Sequence, residues 1–280
     1  MANSKYIQSN TDGIYRQVRD DIRNGLFVLF SGTPCQVAAL YAYIGSKRDS
    51  EQLLTIEVVC HGVASQEALD IHLAQLQSSK IYSFRNKEEG QFAQFSQKTT
   101  IERNGKPYRL LHGKDNDVFY RIYACGLLTR PSCSNCWYAS LARVADITIA
   151  DFWGRVRNRD EYKKGVSSVV ANNSKANGIL QDAPELHIYG TTLARTIAGN
   201  SRFFDGSSYL QYHPVAKWGD FFRKHLSKRM RLSILQNDQP WKLLWAPFRL
   251  AGKLRTKRAR KAIQKKYGKL LNTWYTEEIY

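Results

Sequence analysis

Residues 26–62 read LFVLFSGTPCQVAALYAYIGSKRDSEQLLTIEVVCHG. Leu26–Ser31 is a short unbroken apolar run, the signature of a strand buried on both faces of a parallel sheet. Gly32, Thr33, Pro34 and Cys35 follow, and Gln36–Ile44 then reads as a helix. Leu53–Val59 is a second such strand, ending in Cys60, His61 and Gly62, and Gln66–Gln77 reads as the next helix. Strand, helix, strand, helix implies parallel strands joined by crossover helices. The expected fold class is α/β: a mostly parallel sheet with crossover helices, an antiparallel hairpin insertion and a basic helical C-terminal region.

The flanking sequence extends this reading. Ahead of it, Gly13–Gly25 is helical in pattern, with Ile14, Val18 and Ile22 at spacings of four. Behind it, Phe92–Arg103 and Lys106–Leu111 flank Asn104-Gly105, a strong type I′ hairpin signal. Asp115–Cys125 returns to helix. Ala145–Ala150 alternates as a buried strand and opens into Asp151, Phe152, Trp153 and Gly154. Val166–Ala171 and Leu186–Tyr189 read as further strands, with Lys175–Gln181 a short helix between them. The division expected is a main domain over residues 1–213 and a basic helical region over 214–280.

Composition limits the function classes. The chain has 280 residues, is 43% hydrophobic and carries a net charge of +18. No apolar run is long enough to span a bilayer. The N-terminus lacks the basic and apolar regions of a signal peptide, so a cytoplasmic protein is expected. Residues 221–271 hold sixteen Lys or Arg against one acid, Asp238, leaving only +3 on the other 229 residues. The high charge therefore describes the tail and gives no support to nucleic-acid binding by the main domain. Within that tail Trp241, Leu244, Trp245, Phe248 and Leu254 roughly share a helical face among dense basic residues. Such a segment either lies on an anionic membrane, here the inner membrane surface, or docks on an acidic partner, or packs its apolar face on the main domain.

Five cysteines without an export signal point to ligand or redox roles rather than disulfides. Cys35 and Cys60 each follow the carboxyl end of a strand, the edge where open α/β sheets bind ligands. Adjacent parallel strands bring both sulfurs to one rim, and Cys133-x-x-Cys136 precedes the strand ending at Ala150. Four thiolates suit a 4Fe-4S cluster or a structural zinc, while free cysteines also pack as small hydrophobes. Spacing alone leaves all three open. Cys125 fits the apolar pattern of its helix and reads as core. His61 stands where it could reach a cofactor or shield a sulfur, though a lone histidine is commonly structural. A Cys–His hydrolase needs a positioned base, and nothing in the spacing specifies one. Asp151 reads as a hydroxyl or metal ligand or a turn cap, and Trp153 as a stacking platform or core. Neither a dinucleotide fingerprint nor a Walker loop is present.

Four ordered motifs carry a family resemblance: Ser31-Gly-Thr-Pro-Cys-Gln36, Val59-Cys-His-Gly-Val63, Arg130-Pro-Ser-Cys-x-x-Cys136 and Asp146-Ile-Thr-Ile-Ala-Asp-Phe-Trp-Gly154. Together they resemble the coenzyme F420 hydrogenase/dehydrogenase beta-subunit family, and Lys164-Gly-Val-Ser167 is similar to a further family segment. The resemblance runs from about residue 5 to at least 173. It implies an iron–sulfur flavoprotein oxidoreductase that passes electrons between a hydride carrier, a flavin (FAD) and a 4Fe-4S cluster. It implies Cys35, Cys60, Cys133 and Cys136 as cluster ligands. Gly32, Thr33, Gln36, His61, Asp151 and Trp153 are the expected cofactor-binding residues, with Thr33, Asp151 and Trp153, at the carboxyl ends of the expected parallel strands, lining the flavin pocket. Implied partners are a ferredoxin-like protein or subunit, and, for bacterial relatives, polysaccharide-synthesis enzymes. The alternative is a non-enzymatic zinc-stabilised or metal-free scaffold of a surface-polysaccharide pathway. The chain departs from the family pattern in three respects. The N-terminal ferredoxin-like module has no counterpart in the sequence, Ala150 replaces a usual glycine, and Ala64 replaces a frequent proline.

Overall fold

A computed structural model describes residues 6–78, 81–84, 96–113, 118–124, 126–152, 160, 165–193, 196, 200–203 and 221–237. The first three strands of its main sheet arise as the apolar runs require. Strand β1 is Val28–Gly32, β2 is Leu53–Val58 and β6 is Ile147–Asp151; helices α1 (Ile14–Arg23) and α2 (Pro34–Ile44) flank β1 in sequence. β1 pairs parallel with β2, and β2 parallel with β6. The fourth strand, β7 (Ser167–Ala171), runs antiparallel along β6, giving the order β1-β2-β6-β7. The parallel core with its crossover helices and the separate hairpin match the expected α/β class.

The two faces of this sheet differ. On one face Phe30 and Leu53 pack with Val18 and Ile22 of α1 and Val37, Leu40 and Ile44 of α2. Leu40 has no exposed surface, and truncating such a leucine to alanine costs about 2–5 kcal/mol. The same face continues into buried polar side chains, Thr55, Glu57 and Thr148. On the opposite face Leu54 and Ile147 meet Ala176 of helix α6 (Ser174–Gln181). That helix leaves Leu29, Val58, Ile149 and Val169 exposed.

Helix α3 (Gln66–Gln75) leaves the β2 end behind a Ser65 cap, whose hydroxyl accepts from the Ala68 amide at 3.2 Å. The second sheet is antiparallel: β3 (Ile81–Ser83), β4 (Ser96–Arg103) and β5 (Lys106–Gly113). Its turn has Asn104 at φ 52° and Gly105 at φ 73°, the left-handed pair that an Asn-Gly hairpin turn requires. Helix α4 (Val118–Ala124) supplies Phe119, Ile122 and Tyr123 to a second core with Leu69 and Leu73 of α3. Helix α7 (Lys228–Gln236) adds the buried Leu235 to that core.

Some expectations change. The expected strand Leu186–Tyr189 carries no ladder, and its Leu186, Ile188 and Tyr189 side chains are exposed. Alternation alone forms no strand without a free edge opposite it. The expected helix Asp115–Cys125 is ordered as Val118–Ala124, and Cys125 lies outside the described residues. The hairpin's start at Phe92 and the tail beyond Asn237 also lie outside them. Among the described residues no helix is long and apolar enough to cross a membrane.

Candidate functional site

Cys35 is the second residue of α2, directly beyond β1. Thr33 precedes the helix and its amide donates to Gln36 Oε1 at 3.0 Å, half of a capping box that fixes the entry turn. The Thr33 hydroxyl lies 3.1 Å from Cys35 Sγ. Gly32 closes the same turn; a Cβ there would stand 3.3 Å from Gln36 and from Phe30. Gly32 and Gln36 thus shape the turn that presents Cys35.

Cys60 follows β2. Gly62, two residues on, has φ 125°, and a Cβ there would lie 3.3 Å from Cys133 Cβ and from Thr129 Cγ2. Only glycine combines that backbone with so close an approach. The loop is tied across to the Cys-x-x-Cys segment by Arg130 N–H donating to Val63 O at 3.2 Å and by a bridge between Ala64 and Thr129. The Ala64 amide donates to Tyr6 O at 3.1 Å, a bond that a proline here could not make. Arg130 precedes helix α5 (Pro131–Ser134), which carries Cys133. Its carbonyl accepts from the Cys133 amide at 3.0 Å.

These three segments meet. Cys35, Cys60, Cys133 and Cys136 line one cavity of about 100 Å³, together with Thr33, Gly62, Arg130, Arg143 and Arg202. Cys35 is exposed and the other three are partly covered; all four are free thiols. Burial pushes the Cys60 thiol up to about 11; the Gly62 amide and Arg202 oppose this, while Cys133 and Cys35 add to it. No carboxylate lines the cavity among the described residues. Its anionic donors are the four thiols, beside neutral oxygen groups such as those of Thr33 and Ser132, a set that favours thiophilic centres, zinc or iron–sulfur. Among the described residues no three Cys, His, Asp or Glu side chains already stand at metal-holding spacing. The thiols suit such a centre by their shared cavity and their chemistry.

Of the other expected site residues, Thr33 lines the cavity, whereas Gly32, Gln36, His61 and Asp151 do not. The His61 ring packs against Tyr123, centroids 5.4 Å apart, and Asp151 ends β6 with its carbonyl accepting from Asn200 Nδ2 at 2.9 Å. Trp153 lies outside the described residues. A cavity of about 100 Å³ is smaller than the roughly 300–1,000 Å³ of small-molecule sites. The cysteine cavity by itself is therefore too small to enclose a flavin.

A larger cavity, about 480 Å³, opens at the opposite sheet edge beside Tyr41, Arg48, Asp146 and Lys175. Its central groups are engaged structurally. Asp146 Oδ2 accepts from the Thr55 amide at 2.7 Å and hydroxyl at 2.9 Å, and Oδ1 accepts from Asn173 at 2.7 Å. Lys175 donates to Leu53 O at 2.7 Å. Burial raises the Asp146 pKa, but the bonds from Asn173 and Thr55 and the charge of Lys175 outweigh it and hold it below the usual carboxylate range. This network pins the start of β6 to β2 and thereby sets the register of the cysteine rim.

The family model for the C terminus of the coenzyme F420 hydrogenase/dehydrogenase beta subunit matches residues 27–192. The chain belongs to this family. The matched span begins at β1 and contains all four cavity cysteines. A solved structure, the xenon-derivatised F420-reducing [NiFe] hydrogenase complex from Methanosarcina barkeri, is similar at 14% identity and a TM-score of 0.42, covering 76% of this chain and 69% of that one. No match was found among curated proteins.

Sequence reasoning placed the cysteines but missed Glu57, Arg143, Gly62 and Arg202. Glu57 carried a readable signal, since an acid inside the run LLTIEVV needs a buried partner. Arg202 carried none, because nothing local distinguishes it from a surface arginine.

Proposed function

We propose that this member of the F420 hydrogenase/dehydrogenase beta-subunit family is an electron-transfer oxidoreductase subunit. In this reading Cys35, Cys60, Cys133 and Cys136 hold a 4Fe-4S cluster. The observation that supports it is the meeting of four thiols, two from adjacent strand ends and two from the Cys-x-x-Cys segment, on one cavity that no carboxylate lines among the described residues. When bound, the cluster supplies one-electron transfer. The chain's own residues do the rest: β1 and β2 hold two thiols at adjacent strand ends, α5 presents the Cys-x-x-Cys pair, and Gly62 permits the close approach of the two loops. Exposed Cys35 marks the solvent side, the side on which a ferredoxin-like protein or companion subunit would exchange electrons. The flavin implied by the resemblance enters no step here. The link to polysaccharide synthesis and to a membrane surface through the tail rests on sequence alone.

Anaerobic reconstitution with iron and sulfide tests the proposal. The expected result is a brown protein with about four iron and four sulfide per chain, as a single 4Fe-4S centre requires. Each of the four Cys→Ser variants should lose the colour. Tight zinc with no iron uptake would instead establish the scaffold alternative.

A further inference from the structure

The turn Asn200–Phe203 reaches the site from beyond the span matched by the family model, and it contacts the end of β6, the loop after Cys60, Cys133 and Arg143. Asn200 binds the end of β6 through Asp151 O. Phe203, 1% exposed, packs its ring 5.2 Å from the Arg143 guanidinium. Between them Arg202, 7% exposed, donates from Nη1 to Cys133 O at 3.0 Å and from Nη2 to His61 O. One planar guanidinium thus joins the carbonyl of one cysteine to the carbonyl beside another. Its fork spans both acceptors at a fixed separation, which a lysine ammonium cannot reproduce. The same side chain lines the four-thiol cavity.

We infer that Arg202 is a positioning residue of the cysteine centre: its guanidinium sets the spacing of the Cys60 and Cys133 loops and places a fixed positive charge beside the bound anionic group. The inference rests on the proposed function for the identity of that group, but its geometric half does not. Loading brings a charge-rich thiolate centre into a partly covered cavity. A cation held there by two backbone carbonyls favours the more negative, reduced state and raises the reduction potential, since net charge around the sulfurs is one determinant of it. The arginine acts through the loops and through its field; it is not placed as a ligand.

Two variants separate the roles. Arg202→Met removes both fork and charge, and Arg202→Lys removes the fork but keeps the charge. The first readout uses the full-length metal-free chain, with iodoacetamide labelling of each cysteine followed by mass spectrometry. Arg202→Lys, which keeps the charge, should label Cys60 and Cys133 about tenfold faster than the parent, and Arg202→Met should do so at Cys133, the rate following the population of locally opened states. Cys35, already exposed, should be unchanged. The second readout is the midpoint potential of the reconstituted centre, which should fall in R202M and stay near the parent value in R202K. Unchanged labelling of Cys60 and Cys133 in folded variants would overturn the inference, whether or not iron binds. Should R202M not fold, R202K alone decides the labelling. Failure of the parent chain to take up iron would sink the proposed function and leave the labelling result to judge Arg202.

Discussion

Glu57 and Arg143 form an ion pair inside the protein, with the carboxylate side chain fully buried and the guanidinium side chain 4% exposed. Glu57 belongs to β2, two residues short of Val59 and three short of Cys60. Arg143 comes from the loop after the Cys-x-x-Cys helix and also donates from Nη1 to Tyr138 O at 3.2 Å and Ser140 O at 2.9 Å. The second Glu57 oxygen accepts from the Val144 and Ala145 amides, each at 3.3 Å. The pair therefore fastens the loop following Cys136 to the strand that leads into Cys60.

Removing one partner leaves an uncompensated buried charge. Arg143→Met alone should destabilise the chain by about 3–5 kcal/mol. Glu57→Gln combined with it should recover part of that loss, because contacting residues are not additive. Urea unfolding of the two singles and the double checks this; full additivity would refute the coupling.

The Asp146 network gives an acid-sensitive element. Its folded pKa lies below the ordinary carboxylate value, so its stabilisation is complete above the unfolded pKa of about 3.9 and is lost as pH falls through the lower folded value. Asp146→Asn should cost about 1.5–3 kcal/mol at neutral pH through the lost charged hydrogen bonds. It should also flatten the stability slope below about pH 4. Urea midpoints at a series of pH values measure both.

Thiol reactivity in the metal-free chain should rank by environment. Cys35 is exposed, and Cys60 is held up to about 11 by burial. An elevation of that size leaves roughly 100-fold less thiolate at pH 8 than an ordinary cysteine has. Iodoacetamide should modify Cys35 first and Cys60 only on long exposure. Equal rates would contradict the cavity geometry.

Gly62→Ala should damage the site out of proportion to its size. The residue sits at φ 125° with no room toward Cys133 and Thr129. Strain of this kind costs on the order of 1–3 kcal/mol, and the loops separate to relieve it. Iron uptake on reconstitution should drop further than the fall in thermal midpoint suggests. Gly105→Ala, in the exposed hairpin turn with nothing near its Cβ position, is the control for backbone strain alone.

How much of this was legible follows from what each element depends on. The strands at 28–32 and 53–58 announce themselves as short apolar runs and that at 147–151 as an alternating one, the patterns that buried strands leave. The rim position of Cys35 and Cys60 then follows from topology, and Asn104-Gly105 fixed its turn by backbone preference alone. The Leu186–Tyr189 strand misled because pairing requires a neighbour that local alternation cannot guarantee. Arg202, Arg143 and Glu57 are long-range contacts. Their partners lie 141, 86 and 86 residues away, beyond any window of periodicity. Asp146 stands in the same motif as Asp151, yet its carboxylate anchors β6 at the far edge.

The wide spacing of the cavity residues along the chain gives the site a history during synthesis. Cys35 leaves the ribosome well before Arg202, and at roughly 5–20 residues per second the interval is roughly 10–30 s. For the first part of it the early thiols stand without the Cys-x-x-Cys segment, and throughout it they stand without the turn that braces them. The brace is therefore the last part of the centre to be made. Metal or sulfide delivered before residue 136 emerges meets only two of the four thiols, and a chain truncated before residue 202 keeps all four cysteines while lacking the brace that spaces them.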